Sequence, residues 1–141
     1  MDGSTLAESV DAEMDRPAEA ATRFLRILLV EDEAVLRLVI ARNLSAQGHL
    51  VEEAATAAEA VTKAAELRLD LLLLDINLPD RSGWDVLREL HRLGIEVPTI
   101  IVSAVRVSQA RLDEFRPLAY LPKPFPLESL LRVVGDIHVH D

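Results

Sequence analysis

The stretch Ile27-Leu28-Leu29-Val30-Glu31-Asp32-Glu33 is an apolar run that leads directly into three acids. The same pattern recurs along the chain: residues 71–74 lead into Asp75, residues 100–102 into Ser103, and residues 120–122 into Lys123. Short apolar runs separated by helical patterns are typical of buried strands in a parallel sheet. Because the carboxyl ends of parallel strands meet at one edge, we expect these polar residues to be neighbours. Carboxylates, a hydroxyl and an amine at one edge suit a hard cation and a phosphoryl group.

The segments between the runs alternate with them as helices. The first predicted strand ends at Val30, and the other four cover residues 50–54, 70–75, 97–103 and 118–121. The predicted helices carry the apolar spacing of residues 35–44, 60–67 and 84–93, then cover about 107–115 and, from Pro126, the segment to about 136. Thr56 with Glu59 forms a capping-box pattern. Since such crossovers are short and right-handed, the order (βα)5 predicts an α/β fold, a doubly wound five-stranded parallel sheet covered on both faces.

Length and composition fit one folded domain. The chain has 141 residues, half of them hydrophobic, which is enough to bury about two thirds of its unfolded surface. The net charge of −9 makes binding to nucleic acid or to an anionic membrane unfavourable. No cysteine is present, so disulfide and thiol chemistry are excluded. The chain also lacks a signal-peptide pattern and an apolar run of roughly 18 residues, so we expect a cytoplasmic location.

The ends of the chain differ from its middle. Residues 1–23 hold six acids and two arginines without strong periodicity, which predicts an acidic, disordered tail. We expect residues 24–137 to form the folded domain and residues 138–141 a short C-terminal tail. His138 and His140 could bind a metal, but two histidines near a chain end are usually only solvated.

Asp75 is the centre of the predicted site. Glu31 and Asp32 leave the neighbouring strand at the same edge, and clustered carboxylates are kept mainly where a cation binds. Mg²⁺ needs only one or two carboxylates besides its waters, which favours Asp32 and Asp75 as ligands and Glu31 acting through water. Lys123, one of two lysines among fifteen basic residues, lies between two prolines and offers a point charge for a phosphoryl oxygen.

Each of these side chains also has a plain structural interpretation. Most aspartates at strand ends cap a loop or a helix, and Lys123 could simply face solvent after an edge strand. A serine in the position of Ser103 most often caps a helix. Tyr120, the only tyrosine, could be half-buried packing.

From residue 26 to 137 the chain resembles the receiver domain of two-component response regulators, the phospho-acceptor partners of histidine kinases. The matching residues are Val30-Glu31-Asp32-Glu33, Asp75-Ile76-Asn77-Leu78-Pro79-Asp80 with Ser82-Gly83, Ser103-Ala104, and Tyr120 with Lys123-Pro124-Phe125. All five site positions of the family are filled, in order, over more than 100 residues. The resemblance implies a flavodoxin-like, CheY-like sheet with strand order 2-1-3-4-5.

The resemblance implies a role for each matching acid and for the lysine. Asp75 would be the phosphorylated residue, and Asp32 and Asp75 would bind Mg²⁺ directly. Glu31 would act through water, and the backbone carbonyl of Asn77 would complete the protein ligands. Lys123 would pair with the phosphoryl group.

The resemblance implies a switch as well. Ser103 would bond to the phosphoryl group once it has formed, Tyr120 would change rotamer, and the small side chain of Ala104 would leave the phosphate room. The segment from Ser103 to Lys123 is slightly short for the family, and Arg116-Pro117 replaces a usual Gly-Ala pair. We therefore expect a short or irregular fourth helix, because Pro117 forces an end.

The resulting hypothesis is a stand-alone receiver that accepts a phosphoryl group from a histidine kinase or a histidine phosphotransfer protein. It would signal through contacts with a downstream protein target, with a homodimer left open, and would catalyse only its own phosphorylation and dephosphorylation. The alternatives are a receiver cut from a larger regulator or hybrid kinase, and a similar module that docks without being phosphorylated. A magnesium-dependent aspartyl-phosphate phosphatase would need a second acid where Asn77 stands.

Overall fold

The structure, a computed structural model, describes residues 24–137. Five strands alternate with five helices, in chain order β1 (Arg26–Val30), α1 (Ala34–Ala46), β2 (Leu50–Ala54), α2 (Ala57–Glu66), β3 (Leu71–Asp75), α3 (Gly83–Arg92), β4 (Thr99–Ser103), α4 (Gln109–Phe115), β5 (Ala119–Pro122) and α5 (Leu127–Gly135). The predicted tails 1–23 and 138–141, with His138 and His140, lie outside the described residues. None of the helices in the described part of the chain is long and apolar enough to cross a membrane.

All strand pairs are parallel, and the sheet has the order β2-β1-β3-β4-β5. This confirms the predicted fold class and strand order. The register aligns Val30 with Leu74, Asp75 with Val102, and Ser103 with Pro122. The residues that end or follow β1, β3, β4 and β5 therefore share one edge of the sheet.

Two apolar clusters cover the two faces of the sheet. Leu28 and Val30 of β1 pack with α2 and α3 on one face, whereas Ile27 and Leu29 pack with α1 and α5 on the other. The side chains of β3 and β4 are buried on both faces. Burial on both faces explains why these strands read as unbroken apolar runs rather than as alternating ones.

Some strands begin later than predicted. Strand β3 begins at Leu71, and at Asp70, just before it, the side chain accepts a hydrogen bond from the Arg26 amide (2.8 Å). The strand predicted from residue 97 begins at Thr99, after Pro98, which has no amide hydrogen to donate. The predicted cap at Thr56 is confirmed, since its side chain accepts a hydrogen bond from the amide of Glu59.

Helix α4 is short, as expected from Pro117. It has seven residues, begins after Ser108, whose side chain accepts a hydrogen bond from the Arg111 amide, and ends at Phe115, before Arg116, whose φ of +48° is left-handed. The ring of Phe115 stacks on Trp84 of α3, with the two ring centroids 5.1 Å apart. This aromatic pair fixes α4 against α3. Trp84, the first residue of the apolar spacing at 84–93, is 8% exposed and belongs to the core.

Candidate metal and phosphoryl site

Three carboxylates meet at the carboxyl edge of the sheet. Glu31 and Asp32 follow β1, Asp75 ends β3, and one oxygen of each lies within 4.8 Å of the others. Glu31 and Asp75 are buried, at 0% and 2% exposure, whereas Asp32 is open to solvent. Like charges at this spacing repel each other, and a bound cation would relieve that repulsion. The three acids thus lie where the sequence predicts a magnesium site.

Lys123 lies among these acids. Its Nζ is 2.8 Å from Glu31 Oε1 and 3.1 Å from Asp75 Oδ2, and it is 3.9 Å from Glu33 Oε1. The Lys123 amide donates to the carbonyl of Ser103 (2.8 Å), which holds the residue beside β4. When all three clustered acids are ionised, they and the ammonium carry a formal charge of −2, which one divalent cation would neutralise.

Burial and charge have opposite effects on the pKa values of Glu31 and Lys123. Burial raises the pKa of Glu31 above its ordinary value, although Lys123 and the Glu33 amide both favour the ionised form. Burial alone would lower the pKa of Lys123, but its contacts with Glu31 and Asp75 outweigh that effect and raise it. Lys123 therefore stays protonated, as a partner for a phosphoryl oxygen must be.

One oxygen of Glu31 lacks a well-aligned partner. Oε2 accepts a hydrogen bond from the Glu33 amide (3.1 Å), but Oε1 accepts none within residues 24–137. The contact of Oε1 with Lys123 Nζ, at 2.8 Å, is an ion pair that leaves room for a further donor. A buried carboxylate oxygen without a donor is costly. A water bound to Mg²⁺ would supply that donor, so the residues present fit the ion.

The loop after β3 holds the carboxylate of Asp75 in place. Oδ1 of Asp75 accepts a hydrogen bond from the Asn77 amide (3.0 Å), and the Gly83 amide closes the loop on the Ile76 carbonyl (2.8 Å). A Cβ atom at Gly83 would lie 2.6 Å from the carbonyl oxygen of Asp75. Only glycine permits this approach of the first turn of α3 to the end of β3.

The predicted switch residues meet at a backbone carbonyl. The Ser103 hydroxyl donates to the carbonyl of Val105 (3.0 Å) and accepts from the Val105 amide (3.1 Å). The Tyr120 hydroxyl donates to the same carbonyl at 3.4 Å. Ala104, between Ser103 and Val105, is exposed. Neither hydroxyl is bonded to Asp75, so both would have to change partner to take the roles implied by the resemblance.

One further residue at this edge carries no sequence signal of its own. Arg37 of α1 donates from Nη1 to the carbonyl of Glu31 (2.7 Å) and pairs through Nε with Glu53 (3.2 Å). An arginine on a surface helix usually signals only solvation, so its position could not be inferred before the fold was known.

Residues 27–135 match the sequence model of the response regulator receiver domain. The chain belongs to this family. It is 37% identical over 108 residues to the two-component response regulator PhoP of Pseudomonas aeruginosa, covering 75% of this chain and 48% of that protein. It is 38% identical over 109 residues to the response regulator MprA of Mycobacterium avium, covering 76% of this chain and 48% of that protein. The chain thus spans about half the length of these curated relatives.

A solved structure with the same fold is a CheY-like receiver domain protein from Methanospirillum hungatei. It is 30% identical, has a TM-score of 0.73, and the match covers 79% of this chain and 91% of that one.

Proposed function

We propose that the protein accepts a phosphoryl group on Asp75, in a reaction that needs Mg²⁺, from a phosphohistidine of a histidine kinase or phosphotransfer protein. The observation that carries the proposal is the position of Lys123 Nζ, 3.1 Å from Asp75 Oδ2 and 2.8 Å from Glu31 Oε1. A fixed cation beside a buried carboxylate lets that carboxylate approach a negatively charged phosphoryl group.

Asp32 and Asp75 would hold Mg²⁺ directly, Glu31 through water and Asn77 by its carbonyl, and the bound ion would supply positive charge at the phosphoryl oxygens. A carboxylate oxygen of Asp75 would attack phosphorus as the bond from phosphorus to the donor nitrogen breaks. Lys123 would neutralise charge on the transferred group. The product is a mixed anhydride, which water hydrolyses, so the signal ends without a second enzyme.

The switch follows from the shared carbonyl of Val105. A phosphoryl group on Asp75 adds close to two negative charges beside β4 and attracts the Ser103 hydroxyl. The Val105 carbonyl then loses the Ser103 donor. The Tyr120 hydroxyl, 3.4 Å from the same carbonyl, is weakly held and can move with the Ser103 hydroxyl. Movement of this segment would change the surface formed with α4, and that surface would carry the signal to a protein target.

Two arrangements could carry the output signal. The curated relatives are about twice as long as the part that matches, which favours a further effector domain as the receiver's target in those proteins. In the second arrangement, this chain would pass the signal to a separate downstream protein or to a second copy of itself. We propose no enzymatic activity on other substrates.

Mg²⁺ dependence tests the proposed function. Incubation with acetyl phosphate and Mg²⁺ is expected to add one phosphoryl group per chain, and chelation of Mg²⁺ is expected to prevent it. Intact-mass spectrometry measures the uptake. Absence of uptake by folded protein would favour a docking module that is never phosphorylated, whereas steady turnover of a small phosphate ester would favour a phosphatase.

The amino-terminal half of α1 offers a contact surface for the phosphodonor protein. Val35, Leu38 and Val39 are exposed by 76%, 47% and 41%, directly after the acids of the site. Adjacent exposed apolar side chains are typical of protein interaction sites. We propose that the donor protein binds here, within reach of Asp75.

The Leu38→Asp variant is expected to slow transfer from the donor protein by roughly tenfold or more, because it puts a charge into an apolar contact. Uptake from acetyl phosphate should not change, since that donor needs no protein contact. The rates are measured with the histidine kinase that transfers fastest in a kinase-by-kinase profile. Leu118→Asp is the matched control, since Leu118 is 55% exposed and lies before β5, at the opposite edge of the sheet. Equal rates for the two variants would exclude this surface.

A further inference from the structure

The peptide group between Glu31 and Asp32 links two of the three clustered acids. Its orientation determines where both side chains begin. The Glu31 amide donates to the carbonyl of Ala54 (3.0 Å), which fixes the chain just before this peptide group. The Glu33 amide donates to Glu31 Oε2 (3.1 Å), which fixes the chain just after it. The carbonyl of Glu31, part of the peptide group itself, needs a donor of its own.

Arg37 supplies that donor. Val30 is the last residue of β1 that pairs with β2, so the Glu31 carbonyl lies beyond the ladder and has no strand partner. Glu31 is fully buried, and a buried carbonyl without a hydrogen bond is costly. Nη1 of Arg37 donates to this carbonyl at 2.7 Å.

The guanidinium of Arg37 is itself held in place. Its Nε lies 3.2 Å from Oε1 of Glu53 on β2, and its side chain is only 21% exposed. A planar guanidinium that donates in two directions keeps a fixed orientation, which a lysine in its place could not do. Arg37 therefore joins α1, β2 and the turn that carries the acids.

We propose that Arg37 is a positioning residue for the metal site: by holding the Glu31 carbonyl, it fixes the peptide group from which Glu31 and Asp32 project. The identity of the ion, Mg²⁺, rests on the proposed function. Arg37 touches neither the ion nor the phosphoryl group in this role. Its effect is to keep the two acids preorganised in the arrangement that binds.

The charge of Arg37 and its position predict opposite changes in Mg²⁺ affinity when the side chain is removed. A guanidinium beside an acidic cluster repels Mg²⁺, so a purely electrostatic role means that its removal tightens Mg²⁺ binding. A positioning role means that its removal weakens Mg²⁺ binding, although the site becomes more negative. A role in stability alone leaves the affinity of the folded protein unchanged.

The test is the Mg²⁺ dissociation constant of the full chain, measured by calorimetric titration under conditions where each variant is folded by circular dichroism. Arg37→Met keeps an unbranched stem but donates no hydrogen bond, and it is expected to weaken Mg²⁺ binding by roughly tenfold. Arg42→Met removes the same charge from the exposed face of the same helix and is expected to have no effect or to tighten binding slightly. Glu53→Gln is expected to change the affinity less than Arg37→Met, because Glu53 is 44% exposed and the carbonyl bond remains.

The outcomes separate this proposal from the proposed function. If wild type binds Mg²⁺ and Arg37→Met binds as tightly or more tightly, the positioning role is wrong and the proposed function stands. If wild type does not bind Mg²⁺, both fail. Should Arg37→Met not fold, Arg37→Ala decides, since alanine favours a helix and also removes the donor to the Glu31 carbonyl. A loss of affinity then supports the proposal, and wild-type or tighter affinity overturns it.

Discussion

The Asp75→Asn variant is expected to take up no phosphoryl group from acetyl phosphate or from a kinase. An amide oxygen is a poor nucleophile and carries no charge for Mg²⁺ and Lys123 to balance. The fold should survive, because the asparagine oxygen can still accept from the Asn77 amide, as Asp75 Oδ1 does at 3.0 Å, and Lys123 keeps its ion pair with Glu31. Intact-mass spectrometry after incubation with donor and Mg²⁺ measures the loss.

Asp80→Asn is the matched control for this variant. Asp80 lies in the same loop and is exposed, and its two oxygens accept the amides of Ala57 and Ala58 at 2.8 and 3.0 Å. Those two hydrogen bonds lower the pKa of Asp80 and favour its ionised form. Asp80 is thus a carboxylate held by α2, whereas Asp75 is held by Lys123. Asp80→Asn should be phosphorylated as wild type is. Phosphorylation of Asp75→Asn would show that the acceptor is another residue.

The Lys123→Met variant is expected to lose phosphorylation and also about 3 kcal/mol of unfolding free energy at neutral pH. The loss follows because Glu31 and Asp75, both buried, would be left without the cation that they share. Urea unfolding measures the difference from wild type. Lys63→Met is the control, because Lys63 donates to the backbone carbonyl of Glu53 and pairs with no carboxylate among the described residues.

Acidification should reduce the difference in unfolding free energy between Lys123→Met and wild type. Burial raises the pKa of Glu31 in the folded protein, and loss of Lys123 raises it further. A carboxyl group whose folded pKa is raised contributes stability below its unfolded pKa, and that stability is lost as pH rises through the folded pKa. The destabilisation should therefore be largest at neutral and alkaline pH and smallest near the ordinary pKa of 4.5. A gap that does not change with pH, or one no larger than that of Lys63→Met, would contradict the pairing.

The site could be predicted from the sequence to the extent that it depends on strand ends. The chemistry of Asp75 and Lys123 is visible in the chain, and a parallel sheet brings their strands to one edge although they are 48 residues apart. The observed contact between them confirms that the two strand ends meet, and their roles in phosphoryl transfer stay predictions. The strand order came from the resemblance to the receiver family, because apolar runs alone do not say which strands are neighbours.

The parts that could not be predicted depend on backbone groups and on distances across the fold. The carbonyl of Val105, which receives the hydroxyls of Ser103 and Tyr120, has no residue type to mark it. The carbonyl of Glu31, which accepts a hydrogen bond from Arg37, is not marked by a residue type either. The starts of β3 and β4 were predicted one and two residues early, because hydrophobicity does not record where the backbone ladder begins.

The melting temperature with Mg²⁺ and beryllofluoride, a mimic of the phosphoryl group, tests most directly whether these acids and Lys123 form one site on Asp75. Ligands that bind only the folded state should raise the melting temperature of wild type by roughly 5 °C, and that of Asp75→Asn by much less. No shift for folded wild type at millimolar Mg²⁺ with the mimic would contradict the account.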